Sequence, residues 1–223
     1  MKTIWKAAIA FLILFSVSIS DTVAQIGLSA DVMNRYVWRG TDFGNSPSIQ
    51  PDINFSAGNF EIGAWAAFAT NGNPAGTEVD FYASYTFDTD AGEFSLMLTD
   101  YTFPQDAEGN YFSRTSHFVE AGFGYAGTES FPFNFFTGIF FTNDDDYSIY
   151  TQLGYEISDV ELFVGFTPAA SELYGTTGAG VINTGMSITK PLQITDLFSI
   201  SLTGTLIANP YTDDFFFLFG IGF

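Results

Sequence analysis

Few side chains in this chain could do chemistry, and their neighbours decide what kind. His117 is the only histidine among 223 residues. Beside a serine it would act as a base that activates a hydroxyl nucleophile. Ser113 and Ser116 are near in sequence, but the position two residues further along an extended face is Val119, which cannot serve. His117 is therefore read as a polar residue at an apolar boundary, and no catalytic residue is assigned. Asn143-Asp144-Asp145-Asp146 offers the oxygen ligands that Ca²⁺ takes. It lacks the spacing and glycine of an EF-hand loop, so a solvated acidic turn is expected and no metal site. With no cysteine, the chain has neither a disulfide nor a thiolate centre. No phosphate loop, dinucleotide fingerprint or histidine cluster occurs, so no cofactor is expected.

The remaining ionisable groups are strongly biased. Setting aside Lys2, Lys6 and Asp21 with an expected leader leaves four cations (Arg35, Arg39, Arg114, Lys190) against 24 carboxylates. That surface gives no footprint for nucleic acid. It favours cations or a saline exterior. Asp31, Arg35, Arg39, Asp52, Glu61, Glu78, Asp80, Glu93, Glu120, Glu156 and Glu161 all fall on one parity of alternating segments. Carboxylates gathered on one face would line a cation-preferring passage. The two arginines would either shape a constriction beside Glu61, Glu78 or Asp80, or tie the first strand to its neighbours as carboxylate-binding forks.

The elements that position these groups have period two, not 3.6, which predicts strands. Twelve are expected, over 27–39, 48–57, 60–70, 78–87, 93–102, 117–126, 132–142, 147–157, 160–167, 181–189, 197–208 and 214–223. Ten or fourteen would follow from one hairpin more or less. Ahead of them, Lys2 and Lys6 precede an apolar run from Ala7 to Ile19 and small residues near Ala24. That order is the pattern of a cleaved export signal, assigned to 1–25, with the barrel over 26–223.

A soluble sandwich would alternate too, but three features favour an antiparallel up-and-down transmembrane β-barrel. The apolar parity is rich in aromatics near strand ends (Tyr36 and Trp38, Phe60 and Phe68, Tyr147 and Tyr155), where girdles at the two lipid boundaries belong. The polar parity is rich in small residues that suit a crowded wet lumen. Phe215, Phe217, Phe219, Ile221 and Phe223 make one apolar face running to the last residue. An edge so sticky needs closure. It resembles the terminal strand that the barrel assembly machinery reads in outer-membrane proteins. The connections 40–47, 71–77, 103–116, 143–146, 168–180 and 209–213 are expected outside, and 58–59, 88–92, 127–131, 158–159 and 190–196 inside, with both termini periplasmic. Trp65, Tyr82, Tyr101, Phe136, Phe140, Tyr150 and Phe163 share the lumen parity and would narrow or plug it.

Tyr36-Val-Trp-Arg-Gly40, then Pro47, then Gly63-Ala-Trp65 resembles the opening of the TorF-type porin family of conserved outer-membrane β-barrel proteins. The likeness in motifs spans about residues 29–87. It implies a porin-like barrel embedded in outer-membrane lipid. The leading expectation is a passive channel for small hydrophilic solutes, cation-preferring if open and not an enzyme. The alternatives are a non-conducting structural or surface-interaction barrel and, second, an outer-membrane lipid hydrolase using His117.

Overall fold

The computed structural model describes residues 24–105 and 111–223. The expected leader lies outside the described residues, apart from Ala24 and Gln25 at its end. The strands are β1 (Gln25–Met33), β2 (Tyr36–Trp38), β3 (Thr41–Phe43), β4 (Ser48–Ala57), β5 (Phe60–Ala69), β6 (Thr77–Thr89) and β7 (Gly92–Thr102). They continue with β8 (Phe118–Thr128), β9 (Phe131–Phe140), β10 (Ile149–Ile157), β11 (Val160–Thr167), β12 (Gly180–Thr195), β13 (Phe198–Asn209) and β14 (Asp214–Gly222). Twelve of them, β1 and β4 to β14, pair in sequence order into one closed antiparallel barrel, which β1 seals against β14. The expected twelve-stranded, antiparallel up-and-down barrel is therefore the one observed. β2 and β3 form a separate hairpin.

Alternation decides which way each side chain points. On β4, Ile49, Ile53 and Phe55 stand 46, 51 and 40 % exposed on the outer surface, while Ser48 at 1 % faces the crowded interior. β14 behaves likewise: Phe215, Phe217 and Phe219 are exposed, and Leu218 between them is buried. The strands are joined at one end by tight turns such as Gly58-Asn59 and Ser158-Asp159, and at the other by longer loops. These two ends are called the turn end and the loop end below.

Most expected boundaries shift by no more than two residues, and two move further. β12 runs on to Thr195, pairing with β13 through Lys190 and Pro191, so the connection expected over 190–196 shrinks to 196–197. The first strand, expected over 27–39, leaves the wall after Met33. Asn34 makes this departure affordable. Its backbone N–H donates to the Phe219 carbonyl at 3.0 Å, its side-chain amide donates to the Phe217 carbonyl at 3.0 Å, and its side-chain oxygen accepts from the Phe219 N–H at 2.9 Å. One side chain thus continues the ladder with β14 while the backbone turns away, so no edge group of β14 is stranded there.

Candidate functional site

The segment between β1 and β4 folds into the lumen from the loop end instead of forming the expected external loop over 40–47. Its tip is a two-residue hairpin turn closed by the Trp38–Thr41 pair. Arg39 (φ 49°) and Gly40 (φ 82°) both have the left-handed backbone that such a primed turn needs. Gly40 is obligatory for a second reason: a Cβ there would lie 2.0 Å from the Ile182 carbonyl oxygen. The tip is pinned from the opposite side by Asn209, whose amide donates to the Gly40 carbonyl at 3.2 Å. Asn71 and Asn73 hold the return leg through the Gly44 carbonyl.

Arg39 crosses the lumen to β8. Its two terminal nitrogens donate to the two Glu120 oxygens at 2.7 and 2.8 Å, with the side chains 9 % and 3 % exposed. The guanidinium also donates to the Tyr174 hydroxyl at 2.6 Å and lies 4.4 Å from the ring centroids of both Trp38 and Tyr150. Glu120 receives a further bond from the Tyr101 hydroxyl at 2.9 Å. A buried pair of this kind is tolerable because the two charges meet as a bidentate fork and each takes a further hydrogen bond, from Arg39 to Tyr174 and from Tyr101 to Glu120. Arg35 stays nearer the rim, paired with Asp42 within the segment and with Asn45 at 2.7 Å.

The arginines therefore belong to the inward segment and not to the barrel wall, as a correction to the strand expected over 27–39, and Tyr36 and Trp38, expected in an outer girdle, go inward with them. The partner of Arg39 is Glu120, not Glu61, Glu78 or Asp80. The fork expectation holds for Arg39, although what it ties in place is a hairpin. The inward rings receive that hairpin: Trp38 packs on Tyr101, Phe140 and Tyr174, and Tyr36 on Trp65 at 5.3 Å. Tyr36, Phe140, Tyr150, Tyr174 and Ile182 are all buried, so the loop-end part of the lumen is filled with side chains.

The other assigned residues divide by depth. Glu78 and Asp80 lie beneath the hairpin, with Tyr36 donating to Glu78 at 2.9 Å. Nearer the turn end, Asp52 accepts from the Tyr82 hydroxyl at 3.0 Å and from Asn54 at 3.1 Å. Glu61 accepts from Ser56 and Glu156 from Asn134, each at 2.9 Å, while Asp31 sits against Gly222. Among the described residues no ion pair reaches Asp31, Asp52, Glu61 or Glu156. The lumen is thus layered, with an acidic vestibule at the turn end and a packed layer, bridged by the Arg39–Glu120 pair, at the loop end. A recess of about 250 Å³ opens from the vestibule between Ser56, Glu61, Ser84 and Asp88.

Two participants escaped the sequence reading. Tyr174, in the connection between β11 and β12, turns inward because the Ser171 hydroxyl caps its N–H at 3.0 Å and bonds Ser148 at 2.7 Å. No residue type around it signals that direction. The second is the pairing of His117 with Asp100, the one carboxylate on the outward parity of β7. His117 Nδ1 lies 2.8 Å from Asp100 Oδ2 and Nε2 lies 2.7 Å from the Tyr111 carbonyl. With Asp100 ionised both partners only accept, so both bonds are made together in the imidazolium form, each nitrogen donating. The hydrogen bond to Asp100 raises the His117 pKa above its ordinary value, against partial desolvation. A ring so engaged has no lone pair for a serine, and Ser113 instead bonds Thr115 at 2.8 Å. The lone histidine opposite the lone outward acid was the available clue.

Asn143, Asp144 and Asp146 serve as local caps: Asn143 donates to the His117 carbonyl, Asp144 accepts from the Ser148 N–H and Asp146 from the Glu172 N–H. Among the described residues no cluster of His, Cys, Asp and Glu is arranged to hold a metal ion.

The model of a bacterial protein family, described only as of unknown function (Gcw_chp), matches residues 19–190. That span takes in the whole inward segment and β1 through most of β12. No curated protein matches the chain.

Proposed function

This chain belongs to the bacterial Gcw_chp family, whose function is unknown, and on that premise we propose that it is a porin-type barrel of the outer membrane. It admits small hydrophilic solutes, cations preferred, through an acidic vestibule and past an inward-folded constriction hairpin. The observation that carries this reading is the hairpin itself, held across a closed barrel by Arg39 and Glu120. A barrel that only needed a solid core would have no use for unpaired acids at its other end, since rings of acidic groups attract cations. Residence in lipid is supported by the exposed apolar parity, including Phe215, Phe217, Phe219, Ile221 and Phe223, which water would not tolerate over so wide a belt. The likeness of Tyr36–Gly40, Pro47 and Gly63–Trp65 to TorF-type porins points the same way.

In this reading both termini face the periplasm, the terminal strand is the assembly signal, and transport is passive with neither cofactor nor catalysis. A sealed barrel that presents its loops to partners is the second reading, favoured by the close packing of Trp38. One pair of proteins separates them. Met33 and Ser48 are already partners across β1 and β4, so an Asn-Gly turn can join them directly and remove residues 34–47. In planar bilayers the intact protein should give a small cation-selective conductance and the trimmed one a larger conductance of the same selectivity. A trimmed, folded barrel that passes no current, or prefers anions, would overturn the channel reading.

A further inference from the structure

The hairpin touches the wall at one place where carboxyls lack counter-charges. Glu78 and Asp80 share the inward face of β6 and are 3 % and 6 % exposed. Two residues apart on one strand face, their carboxyl groups are neighbours in the same buried layer. Asp80 Oδ1 is buried and receives no hydrogen bond. The groups packed around them supply no cation. From the hairpin comes the Tyr36 hydroxyl, from β5 the uncharged Trp65 and Ala67, and from β7 Tyr101, the Thr102 N–H and, through the wall, Asp100. Beyond Tyr101, Glu120 is matched by Arg39, and Arg35 is matched by Asp42. Two neighbouring carboxylates in such a dry pocket cannot both be ionised without water.

We propose that Glu78 and Asp80 hold one shared proton that latches the hairpin, and that losing it as pH rises releases the hairpin from the wall. This rests on reading the hairpin as the constriction of a channel. With the proton in place, Glu78 accepts from Tyr36 and bonds Asp80 at the same time. When the proton leaves to lumen water, the two negative charges repel, and hydrating them requires the space that Tyr36 fills. One proton linked to one conformational step changes the ratio of seated to released hairpin by up to about tenfold per pH unit within the titration range.

The protein carries its own reporter. Beyond Trp5 its tryptophans are Trp38, on the hairpin, and Trp65, against Tyr36. Intact protein in lipid should shift its emission to longer wavelength between about pH 4 and about pH 9, a window spanning the range open to perturbed carboxyls, and its conductance should rise over the same interval. In Asp80→Asn the amide donates permanently to Glu78, and in Glu78→Gln it donates to Asp80 while still accepting from Tyr36. Both variants should stay seated and nearly non-conducting at every pH. A flat response in the intact protein, or an unaltered response in Asp80→Asn, would overturn the latch. The Asn-Gly trimmed barrel separates the two ideas. If it conducts at all pH while the intact protein is insensitive, the latch alone fails. If it never conducts, the channel reading fails and the emission shift still decides the latch.

Discussion

Replacing Arg39 by Asn removes the bridge across the lumen while keeping a residue suited to the turn. Arg39 sits at φ 49°, a backbone that costs an ordinary side chain about 1–2 kcal/mol and that Asn adopts more readily. Considered alone, that change should stabilise the hairpin. Against it stands Glu120, 3 % exposed, which would lose both guanidinium bonds and keep only that from Tyr101. Breaking a buried pair by deleting one partner costs about 3–5 kcal/mol. The balance is a net loss of about 1–4 kcal/mol. Urea unfolding of the barrel in lipid, followed by tryptophan emission, measures it. Adding Glu120→Gln removes the stranded charge, so the double variant should be more stable than the sum of the two single losses allows. A loss below about 0.5 kcal/mol for Arg39→Asn, the scale of an ordinary surface substitution, would refute the reasoning, as would strict additivity.

Gly40→Ala should unseat the hairpin, since the new methyl would meet the Ile182 carbonyl at 2.0 Å, a backbone atom that cannot step aside. A lowered Tm and red-shifted emission are expected, and an unchanged Tm would show that the tip does not sit there. Phe219→Lys, on the outward face of β14 at 58 % exposure, should cost about 2–4 kcal/mol of folding into lipid. Equal folding efficiency would contradict a lipid-facing β14. As the only histidine, His117 gives a single resolvable NMR titration. Its folded pKa should lie above the ordinary value and fall back in Asp100→Asn. Because the folded pKa is raised, the pair's contribution is fully present below the unfolded pKa of about 6.5 and is lost as pH rises through the folded value. An Asp100→Asn protein with an unmoved titration would exclude the pairing.

Most of the wall was readable from residue order because alternation maps directly onto the two faces of a strand. β4, β5 and β11 lie within a residue of their expected limits, and closure followed from a terminal face too apolar to leave open. The inward segment was hidden for a definite reason. β1 and β2 are both extended, so the period-two pattern of 27–39 runs through the bend, and no Pro or Gly between Leu28 and Arg39 marks it. The only sign is Asn34, whose side chain can replace a backbone pair, and nothing local says that it does.

By itself, the sequence determined that the chain is all-β, that one parity of each strand is apolar, and that the opposite parity gathers carboxylates. Those properties depend on neighbours two residues apart. The tertiary structure alone decided that Arg39 binds Glu120, 81 positions away, that Tyr36 rests on Glu78, and that Tyr174 and Asn209 close over the hairpin. Each of these is a contact across the lumen, where the partner is set by the curvature and register of the closed barrel and not by spacing along the chain.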